Sequence, residues 1–242
     1  MLTPSIRELA WALLVLWAVT LISAFAFGKY NEDHTRHDIR PLLMVTSALL
    51  VVMAALFWWG GARDTLLAGF SLMVSLGMFA SFIGDMILAE YIRTPKPVIF
   101  GIIAFGIAHG FYIAGFLIAG AAVGVAGDIV QAAVVMAAVT VAVILWAAFV
   151  RSPETPRMLN VAVLIYLGLI ATMTGLAVWL ALGQPRLWPL ALGAILFLAS
   201  DTILGNQIFR KNSWFLVSDV VWMLYICGQA LIVWSNAVAR SL

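Results

Sequence analysis

Asp85 and Asp201 stand inside long apolar stretches, in two similar phrases, FASFIGDMILAE at residues 79–90 and FLASDTILGN at residues 197–206. A carboxylate at that depth costs about 2.5–3.5 kcal/mol on insertion scales, so an intramembrane acid marks a functional site by default. Two of them in matching contexts are a pair of titratable groups able to serve one site. His109 adds a further titratable group inside an apolar segment. Phe105, His109, Tyr112 and Phe116 follow i, i+4, i+7, i+11, one narrow helical stripe, and Ser81, Asp85 and Leu88 stripe the preceding segment likewise. Asp219, Trp222, Tyr225 and Gln229 share one broad face of the last apolar segment. Each of these residues also has a plainer role open to it, as a hydrogen-bonded contact between packed helices.

The elements that must position them are membrane spans. Of the 242 residues, 64% are hydrophobic and 10% charged, against about 25% charged in soluble domains. Spans need about 20 apolar residues. Reading between charged or Pro/Gly-rich breaks gives eight, near 9–28, 41–59, 65–90, 97–119, 129–150, 158–182, 187–208 and 214–238. The breaks are short, so the chain reads as one transmembrane helical domain over 1–242, with its chemistry in the bundle or at its mouths. Ala24-Phe25-Ala26 resembles a signal-peptidase site, but the run before it is longer than a signal h-region and reads as a helix.

Loops after spans 1, 3, 5 and 7 hold nine Lys and Arg, namely Lys29, Arg36, Arg40, Arg93, Lys96, Arg151, Arg157, Arg210 and Lys211. The other side holds four, Arg7, Arg63, Arg186 and Arg240. The positive-inside rule then puts both termini outside and the odd loops in the cytoplasm. The expectation is an integral protein of a bacterial inner membrane. At 1.5 Å per residue, Asp85 and Asp219 lie roughly 9 Å, Asp201 about 12 Å and His109 roughly 17 Å from the cytoplasmic boundary. Four ionisable groups on four helices converge on one cavity opening to the cytoplasm.

Glycines at 77, 84, 101, 106, 110 and 115 permit close approach of spans 3 and 4, and the turn Arg93-Thr-Pro-Lys-Pro97 makes them antiparallel neighbours. Shifting the chain by 116 residues lays Asp85 on Asp201, Ile87 on Ile203, Leu88 on Leu204 and His109 on Tyr225. That suggests a parallel four-plus-four repeat. The net charge of +2 is small and spread over loops, which argues against nucleic acid. Cys227, the single cysteine, has no internal disulfide partner and reads as a packed thiol. His34-x-x-His37 has metal-like spacing but reads as part of a solvated loop. No G-x-S-x-G, nucleotide loop or metal cluster is present, so no cofactor is expected, and serine-esterase and ATP-driven functions are disfavoured.

The phrases S-F-I-G-D-M-I-L in span 3, F-G-I-A-H-G-F-Y-I in span 4, F-L-A-S-D-T-I-L in span 7 and Tyr225-x-x-x-Gln229-Ala-Leu-Ile in span 8 resemble the YhhN family, which includes the eukaryotic lysoplasmalogenases. Residues 79–116 and 195–234 carry the resemblance, and the remainder matches only in topology. It implies hydrolysis of the sn-1 vinyl ether of a lysoplasmalogen to a fatty aldehyde and a glycerophospho-head-group alcohol. Such chemistry needs a carboxylic acid to protonate the enol-ether carbon and an anion to stabilise the oxocarbenium ion. Asp85 and Asp201 are the expected pair. His109 and Tyr112 would position water or the ether oxygen, Ser81 and Ser200 would orient the carboxylates, and Arg93, Lys96, Arg210 or Lys211 would meet a phosphate head group. Two other classes stay open: a proton-coupled carrier of small solutes, and a lipid-binding protein without catalysis. Lipids are the expected partners, and the sequence does not fix an oligomeric state.

Overall fold

The computed structural model describes residues 4–125, 127 and 129–239. Among the described residues, eight helices are long and apolar enough to cross a membrane. They are α1 (Pro4–Ala26), α2 (Arg40–Phe57), α3 (Ala68–Leu88), α4 (Pro97–Ala122), α5 (Ile129–Leu145), α6 (Arg157–Gly183), α7 (Trp188–Arg210) and α8 (Val217–Ala239). π-helical turns prolong α2 through Trp58–Ala62 and α5 through Trp146–Val150, and a 3-10 turn, Pro185–Leu187, leads into α7. Prolines occupy the first turns of α2, α4 and α7. There the missing N–H costs nothing, because the first amides of a helix have no intrahelical acceptor.

Helix α3 pairs with α4 and α7 with α8, while α2 packs on α3 and α8, and α6 on α4 and α7. Helix α1 leans on α2 and α5 on α6, and both give much of their surface to lipid. Moving every label on by four maps α1–α2, α2–α3, α3–α4 and α4–α6 onto α5–α6, α6–α7, α7–α8 and α8–α2, each of which is a packed pair. The 116-residue shift also pairs one close crossing with another, though with different contacts. A Cβ on Gly77 would fall 2.5 Å from the Tyr112 ring, and a Cβ on Gly193, its counterpart, 2.6 Å from the carbonyl oxygen of Gly228, the counterpart of Tyr112. Between α7 and α8 the backbones therefore touch, as small residues allow in membrane bundles. Between α3 and α4 the same glycine makes room for a tyrosine ring.

One end of the bundle is more elaborate. Two short strands, β1 (Lys29–Tyr30) and β2 (His37–Asp38), pair antiparallel in the loop after α1. The hairpin is tied to the start of α8: the amides of Leu216 and Ser218 donate to the carbonyls of His34 and Thr35, both at 3.0 Å, and the His37 amide donates to Asp219 Oδ2 at 2.8 Å. His34 and His37 pack on the Tyr30 ring, at centroid distances of 5.4 and 4.2 Å, which accounts for their spacing. The described non-glycine residues with left-handed backbone, His34, Glu90, Lys211 and Leu216, all lie in the loops of this end. Glu90 is why α3 stops at Leu88 rather than near 90. Asp219 sits in the first turn of α8, shallower than the expected 9 Å.

Candidate active site

Asp85 lies in the last turn of α3 and is 4% exposed. Ser47 on α2 donates to its Oδ2 at 2.5 Å, and the Tyr225 hydroxyl on α8 donates to the same oxygen at 2.8 Å. Three helices thus meet on one carboxyl oxygen. Asp201, mid-way along α7, is held in the same manner, with the Tyr166 hydroxyl of α6 donating to its Oδ2. In each case Oδ1 takes no hydrogen bond from the described residues, so each acid has one oxygen fixed and one unclaimed. Both line a single cavity of about 840 Å³, with Tyr166 and Tyr225 beside them.

Leu43, Met44, Leu88, Ile102, Leu167 and Leu204 make the cavity walls apolar. Its lining also carries both signs of charge, from Arg36, Asp38, Arg40, Glu90 and Lys211, all at the elaborated end. Arg36 Nε pairs with Asp38 Oδ2 at 3.3 Å. Burial pushes the Asp38 carboxyl above the ordinary carboxylate range, and the Arg36 guanidinium opposes that shift. The result is an amphipathic compartment: charged groups at the loop end, an aliphatic wall, and two acids from facing halves of the bundle.

The sequence-expected residues divide by whether they reach the cavity. Asp85, Asp201, Ser200, Trp222, Tyr225 and Lys211 line the cavity. Ser81, His109, Tyr112 and Gln229 are not on its lining; all four are fully buried, Tyr112 donating to Gln229 Oε1 at 2.7 Å. His109 packs its ring against Tyr166 and Phe197, at 5.5 and 4.8 Å between centroids. Several residues, on the lining or off it, have structural partners. Ser200 donates to the Val221 carbonyl at 2.9 Å, joining α7 to α8, so the carboxylates are oriented by Ser47, Tyr166 and Tyr225. Asp219 anchors the hairpin, and Arg210 donates to the carbonyls of Arg151 and Ala147 where α5 ends. Lys211 lines the cavity while pairing with Glu154 at 3.3 Å, and Arg93 and Lys96 lie away from the lining.

Sequence reasoning passed over Ser47, Tyr166, Arg36 and Arg40 as site residues. The first two sit in apolar runs where a hydroxyl looks like packing. The arginines were weighed only for topology.

Neither the curated proteins nor the solved structures give a match to the chain. A family model does, over residues 42–236, which takes in α2 through α8, both aspartates and their three hydroxyl donors, and leaves out α1 and the hairpin. The chain belongs to the YhhN family.

Proposed function

We propose that the protein is an intramembrane lipid hydrolase that cleaves the vinyl ether of a lysoplasmalogen with water. The observation that carries this reading is the placement of two hydroxyl-anchored carboxyls, Asp85 and Asp201, on one apolar-walled cavity with a charged loop end. A lipid suits that compartment, with its chain against the aliphatic wall and its polar end near Arg36, Arg40 and Lys211.

In this reading one carboxyl gives its proton to the vinyl carbon remote from oxygen, leaving an oxocarbenium ion that the second, ionised carboxyl stabilises. Water then adds to the carbon bonded to oxygen and loses a proton to a carboxylate. The hemiacetal collapses, its hydroxyl proton leaving as the departing glycerol oxygen gains one, to give fatty aldehyde and alcohol. The unclaimed Oδ1 atoms are the ones available for these transfers, since Ser47, Tyr225 and Tyr166 occupy the Oδ2 atoms. The excess of Lys and Arg in the loops after α1, α3, α5 and α7 favours a cytoplasmic mouth. A carrier reading has less support, because α3 and α7 run unbroken through Asp85 and Asp201, unlike the interrupted helices of carrier sites.

The test is to incubate the purified protein with lysoplasmenylethanolamine and with its saturated ether analogue and to follow aldehyde. Release from the vinyl ether alone is expected. Flux of a solute with no product chemistry would instead favour transport.

A further inference from the structure

Behind the two carboxyls, away from the cavity lining, lies a second group of buried polar side chains, several of whose atoms have no hydrogen-bond partner among the described residues. Ser81 on α3, His109 on α4 and Gln229 on α8 are all fully buried. Ser81 Oγ, both ring nitrogens of His109 and Gln229 Nε2 have no hydrogen-bond partner among the described residues. The Tyr112 hydroxyl joins the group, donating to Gln229 Oε1 at 2.7 Å with Ser81 beside it, and its ring lies 6.5 Å from that of His109. Gln229 also neighbours the Tyr225 hydroxyl, which donates to Asp85 at 2.8 Å. On the other side the His109 ring lies 5.5 Å from that of Tyr166, the residue that holds Asp201. The cluster therefore touches the anchors of both acids.

Buried donors and acceptors are almost always paired, and where protein offers no partner an ordered water does, typically making about three hydrogen bonds. Four unpaired atoms from three helices, on side chains grouped around Tyr112, have the donor and acceptor mix that water needs. A lone orphan would be a packing accident; a cluster drawn from α3, α4 and α8 is a built site. We propose that Ser81, His109, Tyr112 and Gln229 hold internal water behind the acids, apart from the lipid-lined cavity, and that this water is the one consumed in hydrolysis. The second half of that statement rests on the hydrolase reading; the water site itself does not. It gives the three unpartnered side chains a positioning role: they act on water and do not touch the lipid. An oxocarbenium ion formed in an apolar cavity would then meet its nucleophile from the protein side rather than from bulk solvent.

X-ray hydroxyl-radical labelling of the folded protein in lipid tests the site, because radicals form wherever water sits, including inside the bundle. Labelling of His109 and Tyr112 at rates like those of the exposed Tyr30 and Tyr91, surviving a bulk scavenger, is expected. Rates as low as at the equally buried Phe57 and Phe70 would overturn it. The role is tested in methanol-containing buffer. Methanol adding to the oxocarbenium carbon and losing its proton gives a mixed acetal in place of aldehyde. The wild type should favour aldehyde, and His109→Phe and Gln229→Leu should raise the acetal share; an unchanged share in both overturns the feeding role. A protein that labels at Tyr112 but releases no aldehyde keeps the water site and loses the hydrolase.

Discussion

Ser47 and Tyr225 donate to the same oxygen of Asp85, from two helices that pack on each other and on α3, and that shared target makes a sharp prediction. Tyr225→Phe removes a hydroxyl and keeps the ring, whose contacts with Phe105, Phe197 and Trp222, at 5.9, 5.1 and 5.4 Å between centroids, should survive. Ser47→Ala removes the other donor with little change in volume. A hydrogen bond to a carboxylate contributes about 1.5–3 kcal/mol, so if the fixed oxygen aims its neighbour at the substrate, each substitution should lower kcat by about 10- to 150-fold. KM should change little, since neither hydroxyl need touch the lipid for the argument to hold. With one donor gone the other still restrains the carboxyl; with both gone nothing does. The double variant should thus lose more than the product of the single losses, a coupling of about 0.5–3 kcal/mol. Initial rates of aldehyde release for the four proteins, with thermal unfolding in detergent to confirm folding, complete the cycle. Single variants within twofold of wild type, or strictly independent effects, would refute the claim that Asp85 is positioned through Oδ2.

Other expectations follow from packing and charge. Gly193→Val should cost about 1–3 kcal/mol of stability and part of the activity, because any Cβ there collides with the Gly228 carbonyl 2.6 Å away and levers α7 off α8; an unchanged unfolding temperature would contradict the crossing. Glu90 adopts φ 63°, so Glu90→Gly should stabilise by about 1 kcal/mol, read by thermal unfolding, and a destabilised variant would mean that no strain resides there. Asp38 has its carboxyl raised by burial, so the folded state holds its proton more tightly than the unfolded chain. Its contribution to stability is greatest at low pH and falls as pH rises through the folded pKa, so Asp38→Asn should gain on wild type as pH rises above the ordinary carboxylate range in unfolding scans. A constant difference as pH rises would count against it.

The spans and the two acids were plain in the sequence because both are signals of composition: long apolar runs cannot remain in water, and a carboxylate within one stands out. The four-plus-four register was visible too, in the recurrence of Asp85 at Asp201, and the helix contacts follow it. What was hidden depends on pairs of distant residues. Ser47 and Tyr166 matter only because α2 crosses α3 and α6 crosses α7 at the depth of the acids, and no periodicity along one helix encodes that crossing. His109 lies on the expected stripe, yet its ring packs on Tyr166 and Phe197 off the cavity lining, while Phe105 on the same stripe reaches it. The loop-end arginines depend on a hairpin whose anchor, His37 to Asp219, spans 182 residues. Arg36 and Arg40 looked like topology signals until that anchor placed them on the cavity.

The central claim is that Asp85 and Asp201 act together on a vinyl ether. Its most direct test is aldehyde release from lysoplasmenylethanolamine by wild type, Asp85→Asn and Asp201→Asn, each shown to be folded. Both substitutions keep the size of the side chain and remove its acid chemistry, so activity should vanish in both while lipid binding persists. Aldehyde released at wild-type rate by either variant would contradict the carboxyl pair.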